Sequence, residues 1–137
     1  MTNASLSVWY LSDDKNDYVF MERAFQKSPF IHEVIWLKQA ELLPYLQSKK
    51  DFPPMSGQPA LVLFDTTLSE DEMQTVQLLR DHPIIQKTPL IVLTENKERI
   101  PACYKMGVQS CIQKPSSENL FDTVDIINSY WFQLAFK

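Results

Sequence analysis

An α/β domain built on a mostly parallel sheet is predicted by three observations. Short runs of strand character alternate with longer segments whose apolar residues recur every three or four positions. Two of the runs, those leading to Asp65 and to Thr94, are nearly continuous in Leu, Val, Ile and Phe, as central strands covered on both faces require. The chain of 137 residues, 45% of them hydrophobic, supplies one ordinary core and no second one, so residues 1–137 are expected to form a single domain.

Taken in order, the expected strands are Leu6 to Leu11, Ile31 to Leu37, Ala60 to Phe64, Pro89 to Leu93 and Ser110 to Gln113. The first helix is marked by Tyr18, Met21 and Phe25, and the third by Met73, Val76 and Leu79. A second helical segment, about Gln39 to Lys49, contains Pro44, which removes a backbone donor and is expected to kink the helix or delay its start. The proline-dense stretch Asp51 to Pro59 reads as a surface loop. In the last helix Leu120, Val124, Ile127, Trp131 and Leu134 form one core stripe. Phe121, Phe132 and Phe136 fall on a flank of that stripe. They offer either a docking surface or a chain end folded back on its own domain.

Charge and cysteine content narrow the classes. Thirteen basic against 17 acidic side chains give a net charge of −4, with no basic face to gather phosphodiester backbones, so nucleic acid is not an expected partner. The N-terminus has no basic region before its first apolar run, and Ser12, Asp13 and Asp14 end that run far short of a membrane span. No membrane association and a cytoplasmic location are expected. Cys103 and Cys111 lack metal-ligand spacing and read as buried thiols.

Chemistry gathers at the strand ends. Asp13 follows the first strand, Asp65 the third, Thr94 the fourth and Lys114-Pro115 the fifth. A parallel sheet puts all these ends on one edge, where α/β sheets bind ligands. Two carboxylates there suit Mg²⁺, which takes one or two protein carboxylates and keeps several waters. A carboxylate beside that ion can attack a phosphoryl donor and form a mixed anhydride, while Lys114 pairs with one phosphoryl oxygen and Thr94 donates to another. Each residue alone has a plainer reading: a helix cap for Asp13 or Asp14, a β-former for Thr94, a loop charge for Lys114. Their joint placement carries the signal.

From about Leu6 to Trp131 the chain resembles the receiver domain of bacterial response regulators. The segments LSDDKND (Leu11 to Asp17), LVLFD (Leu61 to Asp65), PLIVLT (Pro89 to Thr94) and GVQSCIQKP (Gly107 to Pro115) are similar to that family's acidic pocket, phosphoacceptor strand, switch-hydroxyl strand and Lys-Pro turn. The resemblance implies a flavodoxin-like three-layer αβα sandwich with a five-stranded parallel sheet of order 2-1-3-4-5. It implies Asp65 as phosphoacceptor, Thr94 as switch hydroxyl and Lys114 as phosphoryl clamp. Mg²⁺ would be held by Asp13, Asp65 and the main-chain carbonyl of Thr67. The implied function is that of a stand-alone receiver in a two-component phosphorelay. It would not be an enzyme beyond self-catalysed formation and hydrolysis of phosphoaspartate. Implied partners are a sensor histidine kinase or phosphotransfer protein, a downstream protein target, and a second copy docked through the last helix.

Several residues depart from the pattern. Ser12 stands at the first acidic position of the pocket, and Glu95, bulky and negative, where a small residue usually follows the switch hydroxyl. Ser69 and Met73 occupy the positions of the loop-shaping Pro and Gly, and Cys111 that of the fifth-strand aromatic. These support an alternative, a receiver-like interaction module that acts without phosphorylation. A third reading, an aspartate-nucleophile phosphatase built on FDTT (Phe64 to Thr67), lacks the second acid two residues after the nucleophile.

Overall fold

The computed structural model describes residues 6–26, 31–48, 59–83, 85–114 and 120–127. Its strands are β1 (Leu6–Leu11), β2 (Ile31–Leu37), β3 (Leu61–Asp65), β4 (Leu90–Thr94) and β5 (Ser110–Gln113). Its helices are α1 (Lys15–Phe25), α2 (Gln39–Ser48), α3 (Glu70–Asp81), α4 (Ile100–Lys105) and α5 (Leu120–Ile127). All strand pairs are parallel, in the order β2-β1-β3-β4-β5. This is the flavodoxin-like sandwich that the resemblance implies.

Strand alternation splits the core in two. On one face Val8, Tyr10, Leu61, Leu63, Ile91 and Leu93 pack with Met21, Ala24 and Phe25 of α1 and Val124 and Ile127 of α5. On the other, Trp9, Leu11, Val62, Phe64, Leu90 and Val92 pack with Leu42 of α2, Val76 and Leu79 of α3 and Cys103 of α4. Every residue of β4 is buried, and so are the first four of β3, as the unbroken apolar runs require.

Two strands run one residue further than their apolar runs. Asp65 pairs with Leu93, and Thr94 with Gln113, so both belong to the ladder. The two polar groups are thus mounted on sheet backbone and not on the following loops.

Pro44 does not delay the start of α2: the helix begins at Gln39 and runs through the proline. Pro44 and Ala40 one turn before it are both exposed, so water can satisfy the carbonyl that the ring leaves unpaired. The fourth helix is short, six residues with Pro101 in its first turn, and a 3₁₀ turn (Lys97–Arg99) precedes it. Cys103 and Cys111 are buried free thiols. The loop 51–58, Pro115, Trp131, Phe132, Leu134 and Phe136 lie outside the described residues, as do the side chains of Leu120 and Phe121. The proposed docking flank is among them. Among the described residues no helix is long and apolar enough to cross a membrane.

Candidate functional site

A cleft of about 540 Å³ opens at the C-terminal edge of the sheet, lined by Ser12 to Asp17, Asp65 to Thr67, Glu72, Glu95 and Lys114. Of the predicted site residues it brings together Asp13, Asp65, Thr67 and Lys114. Thr94 is fully buried at the end of β4 and does not line the cleft; its hydroxyl accepts a hydrogen bond from the Asn96 amide at 3.0 Å.

The acidic rim is shaped by the start of α1. Asp14 is the N-cap, its Oδ1 accepting from the amides of Asn16 at 2.8 Å and Asp17 at 3.4 Å. Capping turns Asp14 to the helix and leaves Asp13 exposed to the cleft, accepting one long bond from the Gln39 amide at 3.4 Å. Ser12 is buried; its hydroxyl accepts from the Asp14 amide, and its carbonyl accepts from Trp36 Nε1 at 2.7 Å. That bond ties the rim to the end of β2.

The floor is the Asp65 carboxylate, whose side chain is only 9% exposed. Its Oδ2 accepts two hydrogen bonds, from the Tyr10 hydroxyl at 2.7 Å and from the Lys114 ammonium at 2.9 Å. Lys114 also pairs with Oδ2 of Asp17, in the first turn of α1. Burial raises the Asp65 pKa above the ordinary aspartate value, although the bonds from Lys114 and Tyr10 pull against it. Burial works against the Lys114 charge too, but its two carboxylate partners prevail and hold its pKa above the lysine norm. Tyr10 is driven far above the tyrosine norm, first by burial and then by the Asp65 charge, so its hydroxyl stays protonated as a donor.

The far wall is the loop between β3 and α3. Leu68 is buried there with φ 57°, a left-handed conformation that costs a branched residue about 1–2 kcal/mol. The Thr66 hydroxyl, accepting from the Leu68 amide at 3.0 Å, helps hold it. Of the two positions where the resembled family has Pro and Gly, Ser69 ends this loop as the cap of α3 and Met73 lies inside the helix. Ser69 caps α3, and Ser69 and Thr67 donate to Glu72 Oε1 at 3.2 and 2.6 Å. Burial would raise the Glu72 pKa, but hydrogen bonds from Thr67, Thr66 and Ser69 outweigh it and lower the value. The Thr67 carbonyl accepts from Asn96 Nδ2 at 3.2 Å, a bond that crosses from β3's loop to β4's.

Sequence reasoning missed Tyr10 and Asp17 as members of the site. Asp17 closes the quoted segment LSDDKND and lies one helical turn past the cap, a signal that was available. Tyr10 reads as a core aromatic until its register against β3 is known. Beside Cys111, Tyr104 of α4 is 47% exposed and donates to the Cys111 carbonyl at 3.3 Å.

The oxygen donors lining the cleft fit a hard divalent cation. No group of three acidic, histidine or cysteine side chains is gathered closely enough to cage an ion among the described residues. Asp13, Asp65 and the Thr67 carbonyl instead make a sparse, all-oxygen set open to water, which suits Mg²⁺ better than an ion needing a full protein shell.

No protein-family model and no curated protein matches the chain. Solved structures do. The Mn²⁺-bound form of response regulator Rcp1 is similar at a TM-score of 0.77 and 23% identity, over 94% of this chain and 96% of that one. The phosphorylated cyanobacterial phytochrome response regulator RcpA is similar at 0.78 and 23%, over 93% and 94%. A response regulator receiver domain from Rhodospirillum rubrum is similar at 0.74 and 21%, over 94% and 95%. Likenesses at this level establish that the chain has the receiver fold.

Proposed function

We propose that this protein is a phosphorylation-gated receiver in which Asp65 accepts a phosphoryl group in a Mg²⁺-dependent two-component relay. One observation carries the reading. At the end of a strand buried on both faces, a nearly enclosed carboxylate with an ammonium 2.9 Å away looks into an acidic, water-open cleft. The likeness to receivers that bind a divalent metal or carry a phosphoryl group supports it.

Both named donors lie on Oδ2, so Oδ1 is the oxygen left to attack phosphorus. Asp13, Asp65 and the Thr67 carbonyl would hold Mg²⁺, which when bound offsets the charge of the transferring group's oxygens. Lys114 is placed to swing from Asp65 onto a phosphoryl oxygen while Asp17 keeps its charge paired. Thr94 starts buried off the cleft, its hydroxyl accepting from the Asn96 amide and keeping its own proton to donate, so reaching the phosphoryl group requires its side chain to move. The same Asn96 binds the Thr67 carbonyl, so a move of Thr94 also disturbs the far wall. The phosphoryl source is a histidine kinase or phosphotransfer protein, and the output is a change of surface read by a downstream protein. Intact-protein mass spectrometry after acetyl phosphate and Mg²⁺ tests the reading: a single phosphoryl adduct is expected.

Glu95 favours the second reading, a module that binds its partner without phosphate. It is exposed and lines the cleft that a phosphoryl dianion must enter. Under the first reading it slows loading by like-charge repulsion. Glu95→Ala is then expected to speed loading by about two- to fivefold at low ionic strength, the gain fading as salt screens the charge. An unchanged rate at low salt would remove Glu95 from the entry path.

A further inference from the structure

The phenol of Tyr10 donates directly to the Asp65 carboxylate. It is fully buried in β1, paired in register with Leu63, and so shares a sheet face with Leu63 and Asp65. Asp65 lies two residues further along β3, about 6–7 Å away along the strand, a distance a para-hydroxyl spans and a Val or Ile side chain does not. The hydroxyl meets Asp65 Oδ2 at 2.7 Å, alongside Lys114 at 2.9 Å.

We propose that Tyr10 is a positioning residue that reserves Oδ2 as the non-reacting oxygen of Asp65, directs attack through Oδ1, and shortens the life of the phosphorylated state. The proposal rests on the reading of Asp65 as phosphoacceptor. In loading, Oδ1 forms a bond to the donor's phosphorus and the donor's leaving group departs with its electron pair. Oδ2 becomes the carbonyl oxygen of an acyl phosphate. A carbonyl accepts hydrogen bonds less strongly than a carboxylate, so the Tyr10 bond favours the free form. In hydrolysis a water oxygen bonds to phosphorus, the P–Oδ1 bond breaks, and its electron pair returns to the carboxylate. Both protons of the water leave with inorganic phosphate. Tyr10 keeps its own proton throughout, and its bond strengthens as negative charge returns to Oδ2, which lowers the barrier to loss of the phosphoryl group.

Tyr10→Phe removes one oxygen and keeps the ring. The phosphorylated protein should live about three- to tenfold longer, a larger change than any in the loading rate, since part of one charge-assisted bond is lost chiefly where charge returns. A merely structural role would instead change loading and loss alike. The second measurement needs no variant. The Tyr10 hydroxyl proton, shielded from exchange, should appear by NMR in the wild type and move upfield when beryllofluoride with Mg²⁺ occupies Asp65. A lifetime unchanged in Tyr10→Phe, or a hydroxyl resonance indifferent to beryllofluoride in a protein that loads normally, overturns the role of Tyr10 and leaves Asp65 as phosphoacceptor. A wild type that takes up neither phosphoryl group nor beryllofluoride overturns both.

Discussion

Asp65→Asn is expected to abolish phosphoryl uptake while leaving the protein at least as stable at neutral pH. The chemical half follows from the loss of Asp65 Oδ1, the oxygen that Lys114 and Tyr10 leave free to attack. The stability half follows from linkage. Burial raises the folded-state pKa of Asp65, so its contribution to stability is fully present below the unfolded value and lost as pH rises through the folded one. At neutral pH the ionised carboxylate is therefore a net cost, offset in part by Lys114 and Tyr10. An asparagine removes the charge and can still accept from Tyr10, while Asp17 keeps Lys114 paired. Urea denaturation should show no loss, or a gain of up to about 1 kcal/mol. Adduct formation on Asp65→Asn at the wild-type rate would move the phosphoacceptor elsewhere.

Lys114→Met should do the opposite on both counts. Without the ammonium, Asp17 and Asp65 lose the cation that both contact directly, and breaking a buried pair by removing one partner costs about 3–5 kcal/mol. Partial solvent access at the cleft should bring this nearer 2–3 kcal/mol. Without the ammonium that pulls against burial, Asp65 would hold its proton to still higher pH in the folded state, so the deficit should be large near about pH 7 and shrink towards about pH 5. Phosphoryl loading should fall by about a hundredfold or more, as when a transition-state donor is removed. Urea titrations at the two pH values, run beside acetyl phosphate loading, check both. A deficit independent of pH would mean that Lys114 acts through packing and not through its charge.

The legible parts of this fold are those governed by burial. The runs ending at Phe64 and Leu93 could only be central strands, and those strands set which residues share the active edge. Both run on to the polar residue that follows, because ladder pairing depends on a neighbouring strand's register and not on apolar content. The start of α2 ahead of Pro44 was not legible, because the penalty for a helical proline depends on whether the freed carbonyl meets water, which burial decides and sequence does not reveal. The segment forming α4 is under two turns long, too short to display a helical period. The site divides in the same way. Asp13, Asp65 and Lys114 could be placed from strand ends alone. Thr94 could also be placed at its strand end, but not the side chain's retreat to Asn96. Tyr10 was invisible because its task exists only across the β1–β3 register.

The pairing of Lys114 with Asp17 has a consequence for how the protein is made. The two residues are 97 positions apart, so during synthesis the carboxylates of the cleft leave the ribosome long before their counter-ion does. Until residue 114 emerges, closing β1 and β3 around Asp65 would enclose charges with nothing to balance them, and that cost favours holding the edge of the sheet open to water. The last strand thus arrives as a keystone: the half of the sheet already made can gather its apolar faces, but the acidic cleft can assume its final form only when β5 delivers the ammonium.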